Sequence, residues 1–307
     1  MTPILETILP IFLVIFLGWG LSSLGKISGA VVEEVNRLVF YVAIPAMIFS
    51  KVARVPFHSH FHPVLALGVL ACAGAAFFAG IFLVRLLRVP RPLAGTFVQS
   101  GFHGNLGYVG LAVAYYFLGE SGFAEAGILA AFLMLLQNVL AVTALSLYAP
   151  AGGREMTPAW RLKKIAGNPV ILSAGAGVLF SMSGLSLPVV ADRFLGIVSG
   201  MALPTALLVI GASLSFSVLR ENLKWAAAAG AVKLVFLPAL GYALFTVLDF
   251  PPQAVLPGII LLAAPTATIT RVMAGEMGGS ASLASAAVSA NTLFSAATYV
   301  FWLTVAG

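Results

Sequence analysis

Two stretches of this sequence set polar and helix-breaking residues inside otherwise apolar runs. The first is Ser100-Gly101-Phe102-His103-Gly104-Asn105-Leu106-Gly107. The second is Ala263-Ala264-Pro265-Thr266-Ala267-Thr268-Ile269-Thr270-Arg271. Glycine clusters weaken a helix, and proline removes a hydrogen bond and collides with the preceding turn. Each stretch is therefore expected to interrupt a helix, with Gly104, Gly107 and Pro265 marking the breaks. A new half-helix is expected to begin near Gly107 and another near Thr266. Each would point free N–H groups into its break and carry about half a positive charge there. Two such ends together make a cradle for an anion. Asn105 offers an amide donor to a carboxylate, and Thr266 and Thr268 offer hydroxyls. The same side chains also suit a plainer task, that of satisfying the interrupted backbone.

Other residues near the breaks widen the set. Arg271 follows Pro265 by about 9 Å of helix at 1.5 Å per residue, and an intramembrane arginine is a functional hypothesis by default. It would meet the second carboxylate of a dicarboxylate, or else snorkel to the interface or pair with Glu276. His103 would carry a coupling proton or be a buried neutral ring bonded to a carbonyl. Gln137 and Asn138 lie mid-span and would either face the break or make interhelical hydrogen bonds; for Asn291 and Thr292 in the last span interhelical hydrogen bonds are an adequate account. Lys233, also mid-span, reads first as a structural lysine. His58, His60 and His62 alternate in a connection but have no acidic or cysteine neighbour to complete a zinc site. No oxygen set for sodium stands out, no acidic residue sits mid-span, and no cofactor is expected.

The elements that must hold these residues follow from composition. The chain has 307 residues, 61% hydrophobic and 8% charged, against about 25% charged in soluble domains. Its mean hydropathy is +1.06. A soluble enzyme and a disordered chain are both excluded. Continuous apolar runs such as Ile8–Leu17 and Ala226–Leu237 argue for helices rather than the alternating strands of a membrane barrel. Ten spans are expected, at 4–24, 31–53, 62–86, 95–118, 122–147, 169–187, 193–217, 224–248, 254–275 and 281–304. The first is too long in its apolar core, and lacks the basic flank, to be a cleaved signal. The connections after odd spans hold Lys26, Arg37, Arg85, Arg88, Arg91, Arg154, Arg161, Lys163, Lys164, Arg220 and Lys224. Those after even spans hold only Lys51, Arg54 and Arg193. The positive-inside rule puts the odd connections in the cytoplasm and both termini outside. The net charge of +6 is thus a matter of topology and not of nucleic acid.

Five spans per half would give the halves opposite orientations. Sliding the chain by 159 residues matches Pro10 with Pro169, Gly18 with Gly177, Gly25 with Gly184, Pro45 with Pro204 and Gly119 with Gly278. The expected organisation is a first five-helix repeat at 1–148, a cytoplasmic linker at 149–166 and a second, inverted repeat at 167–307. In that register Gly104 and Asn105 fall opposite Ala263 and Ala264. Paired interruptions in two repeats are the strongest sequence pointer to a transporter's binding site.

The order of motifs then resembles a known family. Phe-Tyr-Val-Ala-Ile-Pro-Ala (40–46), Gly-Phe-His-Gly-Asn-Leu-Gly (101–107) and Lys-Leu-Val-Phe-Leu-Pro (233–238) come first. Ala-Pro-Thr-Ala (264–267) and Leu-Ala-Ser-Ala-Ala-Val-Ser-Ala-Asn-Thr-Leu-Phe-Ser (283–295) follow. The whole chain resembles the auxin efflux carrier family, which includes plant auxin exporters and bacterial carriers assigned to malonate or malate. The resemblance implies an all-α polytopic membrane protein of ten helices in two inverted five-helix repeats, with helices 4 and 9 broken and crossing. It implies the elevator fold shared with sodium/bile-acid symporters, in which helices 1, 2, 6 and 7 form a scaffold, and a homodimer. The plant exporters place asparagine at both breaks. Here Asn105 stands at the first, while the second has Thr266 and Thr268.

The function expected is a secondary transporter of small organic anions in the plasma or inner membrane, with auxin-like indole carboxylates and malonate or malate as the substrates in view. A channel or membrane sensor on the same fold is the alternative. An intramembrane enzyme finds no zinc-protease helix, serine elbow or aspartate pair, and no P-loop supports primary active transport.

Overall fold

In a bilayer the backbone must close its hydrogen bonds within its own segment, which long apolar runs can do only as helices. The structure, a computed structural model, describes residues 2–56, 61–149 and 167–307. Every regular element among them is helical. The expected linker therefore lies, apart from Ala149, outside the described residues, as do His58 and His60.

In chain order the helices are α1 (Thr2–Ser23), α2 (Gly29–Leu38), α3 (Ile44–Ala53), α4 (Pro63–Leu86) and α5 (Arg91–Phe102). Next come α6 (Leu111–Tyr148), α7 (Pro169–Met182), α8 (Val189–Gly200), α9 (Ala202–Ala212) and α10 (Leu219–Gly230). The last are α11 (Leu237–Val247), α12 (Pro252–Ala263), α13 (Ile269–Glu276) and α14 (Ala281–Ala306). Wide π-helical turns at Val39–Ala43, Leu106–Gly110 and Ala231–Phe236 join α2 to α3, lead into α6 and join α10 to α11. Among the described residues seven continuous helices are long and apolar enough to cross a membrane, and Pro169–Met182 and Pro252–Ala263 are shorter apolar helices. The protein is thus an all-helical polytopic membrane protein. One of the seven, Leu106–Tyr148, has 43 residues, about twice what a bilayer needs. It turns at Gly119, whose φ of 71° and ψ of −165° only glycine adopts readily.

Backbone events recur along the chain. The positive-φ glycines are Gly25, Gly119, Gly184 and Gly278, and they fall into two pairs 159 residues apart. The helices α4 and α11 both run out into a left-handed residue, Arg88 and Asp249. Pro90 and Pro251 then cap the helices that follow, with nearly equal dihedrals. That pair of turns is offset by 161. The second half thus carries two extra residues there, and an ungapped register drifts before it reaches the breaks.

Close packing uses the same correspondence. A side chain at Gly18 of α1 would run into the carbonyl of Leu208 in α9, and one at Gly211 of α9 into the carbonyl of Ile15. A Cβ at Gly177 of α7 would stand 3.0 Å from Val52 and 3.3 Å from the Phe49 carbonyl in α3. Residues 49 and 52 lie 159 before 208 and 211, as 18 lies 159 before 177. Small residues permit such backbone approach where no hydrophobic drive between helices exists.

Candidate functional site

Both interruptions are real, and they touch. The helix α5 ends at Phe102, and the chain resumes helical geometry at Leu106. The helix α12 ends at Ala263, and α13 starts at Ile269, three residues later than Thr266. Between them Gly104 and Thr266 form an antiparallel bridge. The Asn105 amide nitrogen donates to the Pro265 carbonyl at 2.7 Å, and the Ala267 nitrogen donates to the His103 carbonyl at 2.9 Å. The two bonds are related by an offset of 162, which carries Asn105 to Ala267 and His103 to Pro265. The counterpart of Asn105 is therefore Ala267, not the Ala264 of the ungapped register. The correction follows from the residues that the second half gains before its break.

Each break has its own supports. Gln137 of α6 accepts from the Gly104 nitrogen through Oε1 at 3.2 Å and donates from Nε2 to the Phe102 carbonyl at 3.0 Å. The Thr266 hydroxyl donates to the Ser100 carbonyl at 2.9 Å and accepts from Asn291 Nδ2 at 2.7 Å. Lys233 donates from Nζ to the Leu262 carbonyl at 2.6 Å. This places an amine against the C-terminal, negative end of α12. Gln137, Thr266, Asn291 and Lys233 are all buried. They answer the accounting rule that buried backbone groups find partners.

A cavity of about 470 Å³ opens on one side of the bridge. Its wall includes His103, Gly104, Asn105 and Gly107 from the first break, Thr268 and Arg271 beside the second, and Asn138 of α6. Seven of the ten residues expected to form a site are thus brought to one space. Pro265, Thr266 and Gln137 are not in its wall. Asn105 is buried, and its side-chain nitrogen has no hydrogen-bond partner among the described residues. Among the described residues the amides of Gly107 and Tyr108 donate to no backbone carbonyl outside their own helix. Arg271 is exposed at the cavity wall and forms no salt bridge among the described residues. His103 stacks on Phe102, and its Nδ1 lies 3.3 Å from Gln99 Nε2.

The remaining wall belongs to residues not singled out from the sequence. Glu33, Asn36 and Arg37 of α2 line the cavity with Phe40 and Tyr41, and Asn168, Ser213 and Ser285 lie further round. Tyr108 donates its hydroxyl to Asn36 Oδ1 at 2.7 Å, which ties the first break to α2. Arg37 pairs with Glu34 at 3.2 Å while both stay open to water. A polar run inside a span, Glu33-Glu34-Val35-Asn36-Arg37, was the available signal. It serves the positive-inside count equally well, which hid its second use.

A second cavity of about 400 Å³ lies beside α3, lined by Lys51, Arg54, Tyr115 and Tyr116. Its two cations are ion-paired, Lys51 with Glu120 and Arg54 with Asp192, so it holds no net charge for a ligand. Among the described residues no group of histidine, cysteine and acidic side chains is placed to hold a metal.

The sequence matches a family model described as "Membrane transport protein", over residues 3–159 and again over 153–303. It is 30% identical over 308 residues to a Rhizobium meliloti protein named "Putative malonate transporter", covering 97% of this chain and 94% of that one. It is 24% identical over 301 residues to an "Uncharacterized transporter" of Methanothermobacter thermautotrophicus, covering 98% and 97%.

Proposed function

As the chain belongs to the membrane transport protein family, the auxin efflux carriers of the resemblance above, we propose that it is a secondary transporter of small organic anions. One observation carries the reading. The side-chain nitrogen of Asn105 is buried without a partner among the described residues, at the wall of a cavity beside the two joined helix breaks. An unpaired buried donor costs about 1–3 kcal/mol, and an acceptor on a bound ligand would recover it. The carboxylate sits against Asn105, with the N–H groups of Gly107 and Tyr108 and the hydroxyl of Thr268 around it.

Short dicarboxylates such as malonate are the substrates of first choice. Arg271 lies on the same cavity wall without a carboxylate partner among the described residues and would take the second carboxylate. The relative named as a malonate transporter supports the same class. Phe40 and Tyr41, on the wall as well, favour an aromatic monocarboxylate as the second reading.

The mechanism we assign is an elevator. The ten segments form two inverted five-helix repeats, and the recurring glycine turns and the matching α1–α9 and α3–α7 contacts support that build. The crossed breaks, with α4, α6, α10–α11 and α14, travel past a scaffold of α1, α2–α3, α7 and α8–α9. By the positive-inside rule the cavity beside Arg37 and Arg271 opens to the cytoplasm, both termini lie outside, and the protein works as a homodimer in the plasma or inner membrane.

Thermal melting of the purified protein with malonate, malate, succinate, acetate and indole-3-acetate tests this, because a ligand of the folded state raises its stability. Stabilisation by the dicarboxylates, followed by saturable counterflow of the same acid in proteoliposomes, is the expected outcome. Flux that neither saturates nor shows counterflow would mean a channel.

A further inference from the structure

Lys233 is fully buried, and it is the one charged residue among the buried described residues. It lies behind the bridge that closes the cavity. A Cβ on Gly104 would stand 3.2 Å from its Cε and 3.3 Å from its Nζ, so the lysine fills the space that this glycine leaves. Gly104 itself forms part of the cavity wall. One residue of backbone therefore separates the amine from the place where Asn105 presents its unpartnered nitrogen.

Among the described residues no acidic side chain meets that amine, and only the C-terminal end of α12 faces it. The π-helical turn carrying Lys233 packs against α4, α5, α12 and α14. The titratable groups on these elements are Cys72 and Arg85 of α4, Arg91 of α5 and Tyr299 of α14, with His103 across the break; α12 offers none. Arg85 and Arg91 are exposed near helix ends, and the Tyr299 hydroxyl donates to the Ile260 carbonyl at 3.1 Å. No aspartate or glutamate is buried among the described residues. An ammonium has three protons to donate, and one acceptor, the Leu262 carbonyl, is present. Burying a charge on such terms is expensive.

A carboxylate arriving at Asn105 reverses that balance. We infer that Lys233 is the proton-coupling group of the carrier: its amine binds a proton as the anion enters and releases it as the anion leaves. The inference rests on the carrier reading above. The proton comes from a hydronium ion of the solution, leaving water, and forms the third N–H bond of the ammonium. On release that bond breaks, the electron pair stays on Nζ and the proton returns to water. Anion and proton favour each other's binding by the same factor. Each proton offsets one negative charge of the substrate as it crosses. The lysine thereby does what an intramembrane carboxylate does in other proton-linked carriers, with the charges reversed.

The test is malonate binding to the purified full-length protein above pH 7, where malonate is fully ionised, with proton uptake followed in weak buffer. The wild type should take up protons on binding, and its affinity should fall by up to about tenfold per pH unit as one linked proton is lost. Lys233→Gln should bind without uptake and with flat pH dependence, while His103→Gln, whatever its affinity, should keep the wild-type proton uptake per malonate bound. Binding without uptake in the wild type overturns the inference, as does uptake that survives in Lys233→Gln or vanishes in His103→Gln. If Lys233→Gln is not monodisperse, the wild-type uptake and the histidine variant decide. Absence of malonate binding at every pH is a different failure: it overturns the dicarboxylate carrier itself, and the coupling with it.

Discussion

Asn105 donates its backbone nitrogen to the carbonyl of Pro265 at 2.7 Å, across two helix breaks that lie far apart in the chain. The bond uses the main chain of Asn105, and its side-chain nitrogen has no partner among the described residues. Gln137, Thr266 and Lys233 meanwhile bond the surrounding backbone. Structural support and ligand recognition are thus divided among different side chains.

Replacing Asn105 by Ala should therefore abolish binding and spare the fold. Its side-chain nitrogen makes no hydrogen bond among the described residues that the variant would lose, so the melting temperature should stay near the wild type. Affinity for the stabilising acid should fall at least about tenfold, or 1.4 kcal/mol. Undiminished transport by this variant would take Asn105 out of the site.

Gln137→Leu should do the reverse. It strands the Gly104 N–H and the Phe102 carbonyl, each at about 1–3 kcal/mol. The variant should melt well below the wild type. If it melts normally but no longer binds, Gln137 contacts the substrate rather than the break.

Arg271→Gln should weaken malonate and succinate more than acetate or indole-3-acetate, because only the dicarboxylates carry a second charge for it to meet. Thermal shifts across the panel give the comparison. Equal losses for both classes would assign Arg271 to structure.

Gly211→Leu should disrupt the α1–α9 contact, since any side chain there meets the Ile15 carbonyl. Overpacking typically costs about 1–3 kcal/mol. Gly20→Ala, on the same helix α1 but with open space around it, is the control and should melt as the wild type. A Gly211→Leu protein as stable as the control would show that the two helices can separate freely.

The sequence alone determined what local physics decides. Apolar runs without water to bond their backbones had to be helices, and glycine and proline clusters had to interrupt two of them. Gly25, Gly119, Gly184 and Gly278 stand where the chain needs a positive φ, and their common spacing was legible as matched glycines. Asn105, His103 and Arg271 could be marked because polar groups are rare at such depth. What the tertiary structure decided was which partners those groups meet. Thr266 and Thr268 look alike in sequence, but Ser100 and Asn291 engage the first, while the second reaches the cavity. The pairing of Asn105 with Ala267 depended on extra residues upstream that an ungapped comparison passes over. Lys233 read as one lysine in an apolar span until Gly104 and Leu262 were placed against it. Those contacts join residues more than a hundred positions apart in the case of Gly104, and no local periodicity records them.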